Sequence, residues 1–346
     1  MGDSKSERGA IGMKTMRDIL SAVMLLLVSV GGAMQECVAA PSMVVVSGHA
    51  GDASFESAIQ KIAARWEEVA RTAGVELKMV AARETDGGEG GEKSQKSRLR
   101  SALSEVSAVD IEPLWLVLSG HGSAQGRVPR FALTGEDLGA DELKEMLAPI
   151  RRPVVLVLGF SCSGAFVKNL AARDRIIVSA TRSGTEENWT RFGEFFSQAI
   201  KDPAADTDGD GQVSVFEAWR FACSAVDAFY KERGRLCTEH SVLEDTGLGK
   251  AFRREAFDED GEVLDKKEAV TSSPGRRAQE SVLMKSPIEV AMSAEERERR
   301  ADLESELRSL RARKTELTPE AYRGSSETLF LMLDRLYDCV RRRMAP

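Results

Sequence analysis

His121 and Cys162 are the residues whose types and settings could build a nucleophile. Residues 114–118 form an apolar run that leads into Ser119-Gly120-His121-Gly122-Ser123. Residues 153–158 form a second, leading into Gly159-Phe160-Ser161-Cys162-Ser163-Gly164. A thiol attacks a carbonyl only as thiolate, and a neighbouring imidazole can take its proton. Glycines beside both residues let the backbone approach a substrate closely. The N–H groups of Gly122 and Cys162 would then donate to the oxyanion that forms in acyl transfer. A helix starting near Gly164 would bring positive dipole to the sulfur and lower its pKa. The other two histidines, His49 and His240, lack such a setting. The plainer alternative makes Cys162 a small buried hydrophobe and His121 a turn residue.

Short apolar runs bounded by glycine read as strands buried on both faces. With a helical pattern between them, two such strands become parallel neighbours, and their C-terminal ends share one edge of the sheet. Residues 43–46 are a first strand. Residues 55–73 show helical spacing through Phe55, Ile59, Ile62, Trp66, Val69 and Ala73, stopped by Gly74, and residues 75–81 are the next strand. Residues 83–97 carry four glycines among mixed charges and read as a surface loop. A short helix follows through Leu99, Leu103 and Val106, then a small hairpin over residues 127–139 and a helix over 141–147. A helix over 166–171 and a strand over 175–180 complete the pattern.

The paired motifs Ser-Gly-His-Gly and Ser-Cys-Ser-Gly, each closing an apolar strand, resemble the caspase-fold cysteine peptidases, most nearly the legumain-type branch and its bacterial relatives. The resemblance spans about residues 42–249. It implies a three-layer α/β fold with a mostly parallel central sheet, a peptide or protein substrate, Cys162 as nucleophile and His121 as general base. It also implies that the polar loop after the 175–180 strand helps line the pocket for the residue before the scissile bond, making Arg182, Glu186 and Glu187 pocket candidates. A solvated loop is the alternative for those residues. Legumain-type sequences place one residue between the nucleophile and Ser-Gly. Aligned that way, Ser161 holds the nucleophile position, whereas the caspase pattern Cys-x-Gly selects Cys162. One residue of register at a strand end turns a side chain to the opposite face. Three readings stay open: a cysteine endopeptidase, a catalytically inactive caspase-like module that binds a peptide or protein partner, and an esterase or amidase that uses Ser161.

Residues 206–217, Asp-Thr-Asp-Gly-Asp-Gly-Gln-Val-Ser-Val-Phe-Glu, match the EF-hand loop. Asp206, Asp208 and Asp210 would supply oxygens, Gly211 the sharp turn, Gln212 its carbonyl, Ser214 a side chain or water, and Glu217 a bidentate carboxylate. Pro203 separates the entering helix, over 191–200, from the loop, and the exiting helix runs over 215–232. A single loop of this quality suggests a structural Ca2+ site.

The chain has 346 residues and a net charge of −7, which excludes a general nucleic-acid binder for want of basic excess. Residues 1–40 read as a signal peptide: Lys14 and Arg17 precede an apolar core over 19–30, and small residues 38–40 offer a cleavage site. Export to a periplasmic or extracellular space is expected, with no stable membrane span after cleavage. An uncleaved anchor is the alternative. Of five cysteines, Cys37 would leave with the signal; Cys223 and Cys237 either pair or remain free thiols. Residues 251–290 are charged and poor in apolar positions, and read as a linker. Beyond them Ser293 and Glu296 form a capping box, and leucines at heptad-like spacing predict a helical hairpin or short coiled coil over 291–346, a route to self-association.

Overall fold

The computed structural model describes residues 42–82, 94–106, 108, 110–124, 128–265, 267–268 and 272–344. The signal reading over 1–40 and most of the glycine-rich loop lie outside these residues. Six strands form the central sheet: β1 (Ser42–Ser47), β2 (Glu76–Ala81), β3 (Leu114–Gly120), β4 (Val154–Phe160), β5 (Arg175–Ser179) and β6 (Val242–Glu244), in the order β2-β1-β3-β4-β5-β6. All neighbours are parallel except β5 and β6. Every residue of β1, β3 and β4 is buried, as continuous apolar runs require when both faces are covered.

Helices α1 (Ala53–Ala73), α5 (Phe192–Ala199) and α6 (Val215–Glu232) cover one face. Helices α2 (Gln95–Ser104), α3 (Ala140–Leu147) and α4 (Gly164–Leu170) cover the other. The protein is therefore a three-layer α/β molecule with a mostly parallel sheet, as expected. Asp52 caps α1 by accepting from Ser54 N at 2.8 Å, and Gly74 ends it in the left-handed region at φ +67°. Part of the expected surface loop is helical instead, because Ser94 caps α2 by accepting from Ser97 N. The hairpin expected over 127–139 belongs to a three-stranded antiparallel meander pairing residues 122–123, 130–131 and 138–139.

Residues 251–290 are not the bare linker their composition suggested. Phe252 pairs with Leu243, and Phe257, Ala278 and Leu283 are buried in the α1/α5/α6 core. A few well-placed apolar residues outweigh a charged average. Helices α7 (Arg276–Glu280) and α8 (Pro287–Ala291) follow. The tail is a hairpin of α9 (Ala294–Ala312) and α10 (Pro319–Met344), packed through Leu303, Leu307 and Leu329. Arg343, near the end of α10, pairs with Glu296 at the start of α9, so the two run antiparallel. Cys162, Cys223, Cys237 and Cys339 are free thiols. Among the described residues no helix is long and apolar enough to cross a membrane.

Candidate functional site

The β3/β4 register aligns Ser119 with Gly159 and Gly120 with Phe160. The next residues in line are His121 and Ser161. Accordingly Ser161 Oγ, not the Cys162 sulfur, meets the imidazole, 3.0 Å from His121 Nδ1. The same hydroxyl accepts from Gly122 N at 3.0 Å and donates to Gly122 O at 3.0 Å. A serine hydroxyl has one proton. With that proton on the Gly122 carbonyl, the imidazole donates from Nδ1 and Nε2 carries the lone pair. Ser161 is fully buried.

His121 is held by its backbone: its N–H donates to His49 O at 3.0 Å and its carbonyl accepts from Ala132 N at 2.9 Å. Its pKa is lowered, first by burial and then by the charge of neighbouring His49. The ring also packs on Gly51, where a methyl group would come within 3.3 Å of it. His49, exposed at the end of β1, thus belongs to the same edge. Nothing in its local sequence marked it; only the sheet order brings it there.

Cys162 is fully buried and adopts φ +62°, a left-handed conformation costly for a residue with a side chain. Its thiol pKa is pushed up to about 11, first by burial and then by the charge of Glu187. The expected lowering by a helix start is absent, because removal from water outweighs a dipole from the short α4. Among the described residues the imidazole makes no hydrogen bond to the sulfur. The amides expected to stabilise an oxyanion are both occupied: Gly122 N donates to Ser161 Oγ, and Cys162 N donates to Glu186 O at 2.9 Å.

The pocket candidates divide. The Glu186 side chain is buried and accepts from Arg182 N at 3.0 Å, Arg182 Nε at 3.1 Å, His240 N at 3.2 Å and the His240 ring at 2.6 Å. Glu187 is exposed and makes no hydrogen bond or ion pair among the described residues, yet its charge reaches both Cys162 and His121. Beside this loop Trp189 stacks on Phe55 at 4.4 Å. Glu239 is buried and accepts from Arg191 N and Phe192 N at the start of α5, and from the Tyr230 hydroxyl.

The candidate calcium loop, residues 206–217, lies in the chain between Arg191 and Tyr230. Carboxylate oxygens of Asp206, Asp208 and Asp210 come within 4.8 Å of one another. Burial, then the charges of Asp210 and Glu217, raise the pKa of Asp208 to about 7. Glu217 Oε1 accepts from Thr207 N at 2.8 Å, so the twelfth-position carboxylate reaches the start of the loop. The Ser214 hydroxyl is spent on capping α6, and the Gln212 side chain accepts from Ser286 N and donates to Asp210.

No protein-family model matches the chain, and no curated protein matches its sequence. Among solved structures, the Drosophila initiator caspase Dronc aligns with 12% identity, over 61% of this chain and 81% of that one, at a TM-score of 0.37. Caspase-1 from Spodoptera frugiperda aligns with 11% identity, over 59% of this chain and 85% of that one, also at 0.37. Likeness at this level is one of outline and carries neither activity nor substrate.

Proposed function

We propose that this chain is a caspase-like module that binds an extended peptide or protein segment at the C-terminal ends of β1, β3 and β4 without cleaving it. One observation carries the reading. Both backbone donors that would stabilise an oxyanion are already satisfied by protein acceptors, Ser161 Oγ and Glu186 O. Acyl transfer needs those donors aimed at the substrate oxygen. The thiol supports the same reading. A pKa near 11 against an ordinary 9.0 makes its thiolate about 100-fold scarcer at neutral pH. The experiment is peptide-resolved iodoacetamide labelling of native and denatured chain, alongside incubation with peptide libraries. Labelling of Cys162 about 100-fold slower in the native state, with no turnover, is expected. Cleavage that disappears in Cys162→Ala would establish the cysteine endopeptidase instead.

A second reading rests on Ser161 Oγ at 3.0 Å from the imidazole, a spacing that suits a nucleophile and its base once the ring takes its other tautomer and the hydroxyl turns from the Gly122 carbonyl to Nδ1. Fluorophosphonate labelling abolished by Ser161→Ala would favour that serine hydrolase. We also propose a structural Ca2+ ion held by Asp206, Asp208, Asp210 and Glu217. Three carboxylates whose oxygens lie within 4.8 Å of one another are hard donors that fit such a cation. Its chemistry is charge neutralisation of the loop. Export through residues 1–40 is proposed on the sequence alone.

A further inference from the structure

The loop after β5 does more than border the strand ends. Gly184 sits so close to both walls that a methyl on it would lie 3.0 Å from Ala124 Cβ, in the turn after His121, and 3.2 Å from Ala165 Cβ, in the first turn of α4. The loop therefore spans the mouth between the histidine turn and the cysteine turn. At one end it is tied down by hydroxyls: Gly164 N donates to Thr181 Oγ1 at 2.9 Å, and Ser179 Oγ donates to Ser163 Oγ at 2.8 Å. At the other end the Glu186 carboxylate takes its four donors from Arg182 and His240, the latter on a different segment. That anchorage sets the Glu186 carbonyl on the Cys162 amide, where it holds the residue at φ +62°.

We propose that residues 181–188 are a lid latched shut over Cys162 by Glu186, with His240 as the catch, and that a ligand reaches the β4 end at Cys162 only when this latch is released. The proposal rests on the binding reading above and adds how that site is closed. Glu186 acts here as a positioning residue: its side chain fixes where its own carbonyl sits. A strained turn kept in place by surrounding contacts relaxes when one of them is removed.

The test is hydrogen exchange resolved to the Cys162 amide, together with iodoacetamide labelling of Cys162, in the full chain and in Glu186→Ala, His240→Ala and Glu186→Gln. In the first two variants, exchange and labelling should each rise at least ~10-fold while exchange within α6 stays unchanged. Glu186→Gln keeps an acceptor for Arg182 N and His240 N and should restore most of the protection. If Glu186→Ala does not fold, His240→Ala carries the test, since it removes the catch and leaves Glu186 itself unchanged. Wild-type protection of Cys162 in a folded His240→Ala chain would overturn the lid. Peptide cleavage gained in Glu186→Ala and lost when Cys162→Ala is added would overturn binding without cleavage while leaving the lid standing.

Discussion

Burial sets the behaviour of single side chains here, and Glu239 is the clearest case. It is enclosed at the start of α5, and burial raises its pKa from 4.5 to about 7 against the opposing pull of the Arg191 and Phe192 amides. The folded chain thus holds this proton more tightly than the unfolded one. Its contribution to stability is complete below about pH 4.5 and is lost as pH rises towards 7. Glu239→Gln keeps the acceptor for both amides and removes the titration. Urea denaturation from pH 4.5 to 8 should therefore show the wild type losing stability relative to the variant, by up to about 3 kcal/mol. Parallel curves would show that Glu239 does not titrate in this window. Gly122 makes a related point about reading residues from sequence. Its place beside a histidine was legible, but the close approach it permits is to its own chain: a methyl there would lie 2.2 Å from Ser161 O and 2.6 Å from the Phe160 ring. Gly122→Ala should cost about 2 kcal/mol, read from the same denaturation curves.

Elements were legible where their determinants are local. The helix after the candidate calcium loop runs over Val215–Glu232, as its apolar spacing predicts, because Ser214 and Glu217 form a reciprocal capping box at its start. The strands β3 and β4 were legible for the same reason, each being one uninterrupted apolar run. What faces His121 was legible only as a choice between Cys162 and Ser161. That depends on one residue of register between distant strands, and the register brings Ser161 rather than Cys162 to the ring. The lid contacts were hidden too, since Glu186 and His240 lie 54 residues apart. The proposed calcium site yields a prediction at this scale. Ions that bind only the folded loop stabilise it by mass action, about 1.4–2.7 kcal/mol at 10 to 100 times Kd. Melting in 10 mM Ca2+ should rise by a few degrees over chelator. The rise should vanish in Asp206→Ala together with Asp208→Ala, and an equal rise in that variant would place any calcium elsewhere.

The whole molecule extends past the residues that carry the sequence resemblance, because its core does. Phe257 meets Phe216 edge-on at 5.1 Å and Trp219 at 5.7 Å, so the segment after β6 completes an aromatic cluster begun by α6. Its backbone is tied in as well: Val215 N donates to Ser281 O at 2.8 Å, and the Asp245 carboxylate accepts from Gly275 N at 2.9 Å and Ala278 N at 3.1 Å. Gly275, at φ +84°, fits only because it lacks a side chain; a methyl there would lie 2.8 Å from the Phe257 ring. The α9–α10 hairpin has its own small leucine core. A chain ending at Met292 keeps the aromatic cluster covered, whereas one ending at Lys250 uncovers Phe216 and Trp219 and strands the Asp245 carboxylate. Aromatic side chains of this size dominate core energetics, so the two truncations should behave very differently. The longer should melt cooperatively and keep its near-ultraviolet circular dichroism. The shorter should lose that signal and bind a hydrophobic dye, the behaviour of a chain whose packing has failed. Equal, cooperative melting of both would mean that residues 251–292 rest on the domain without supporting it.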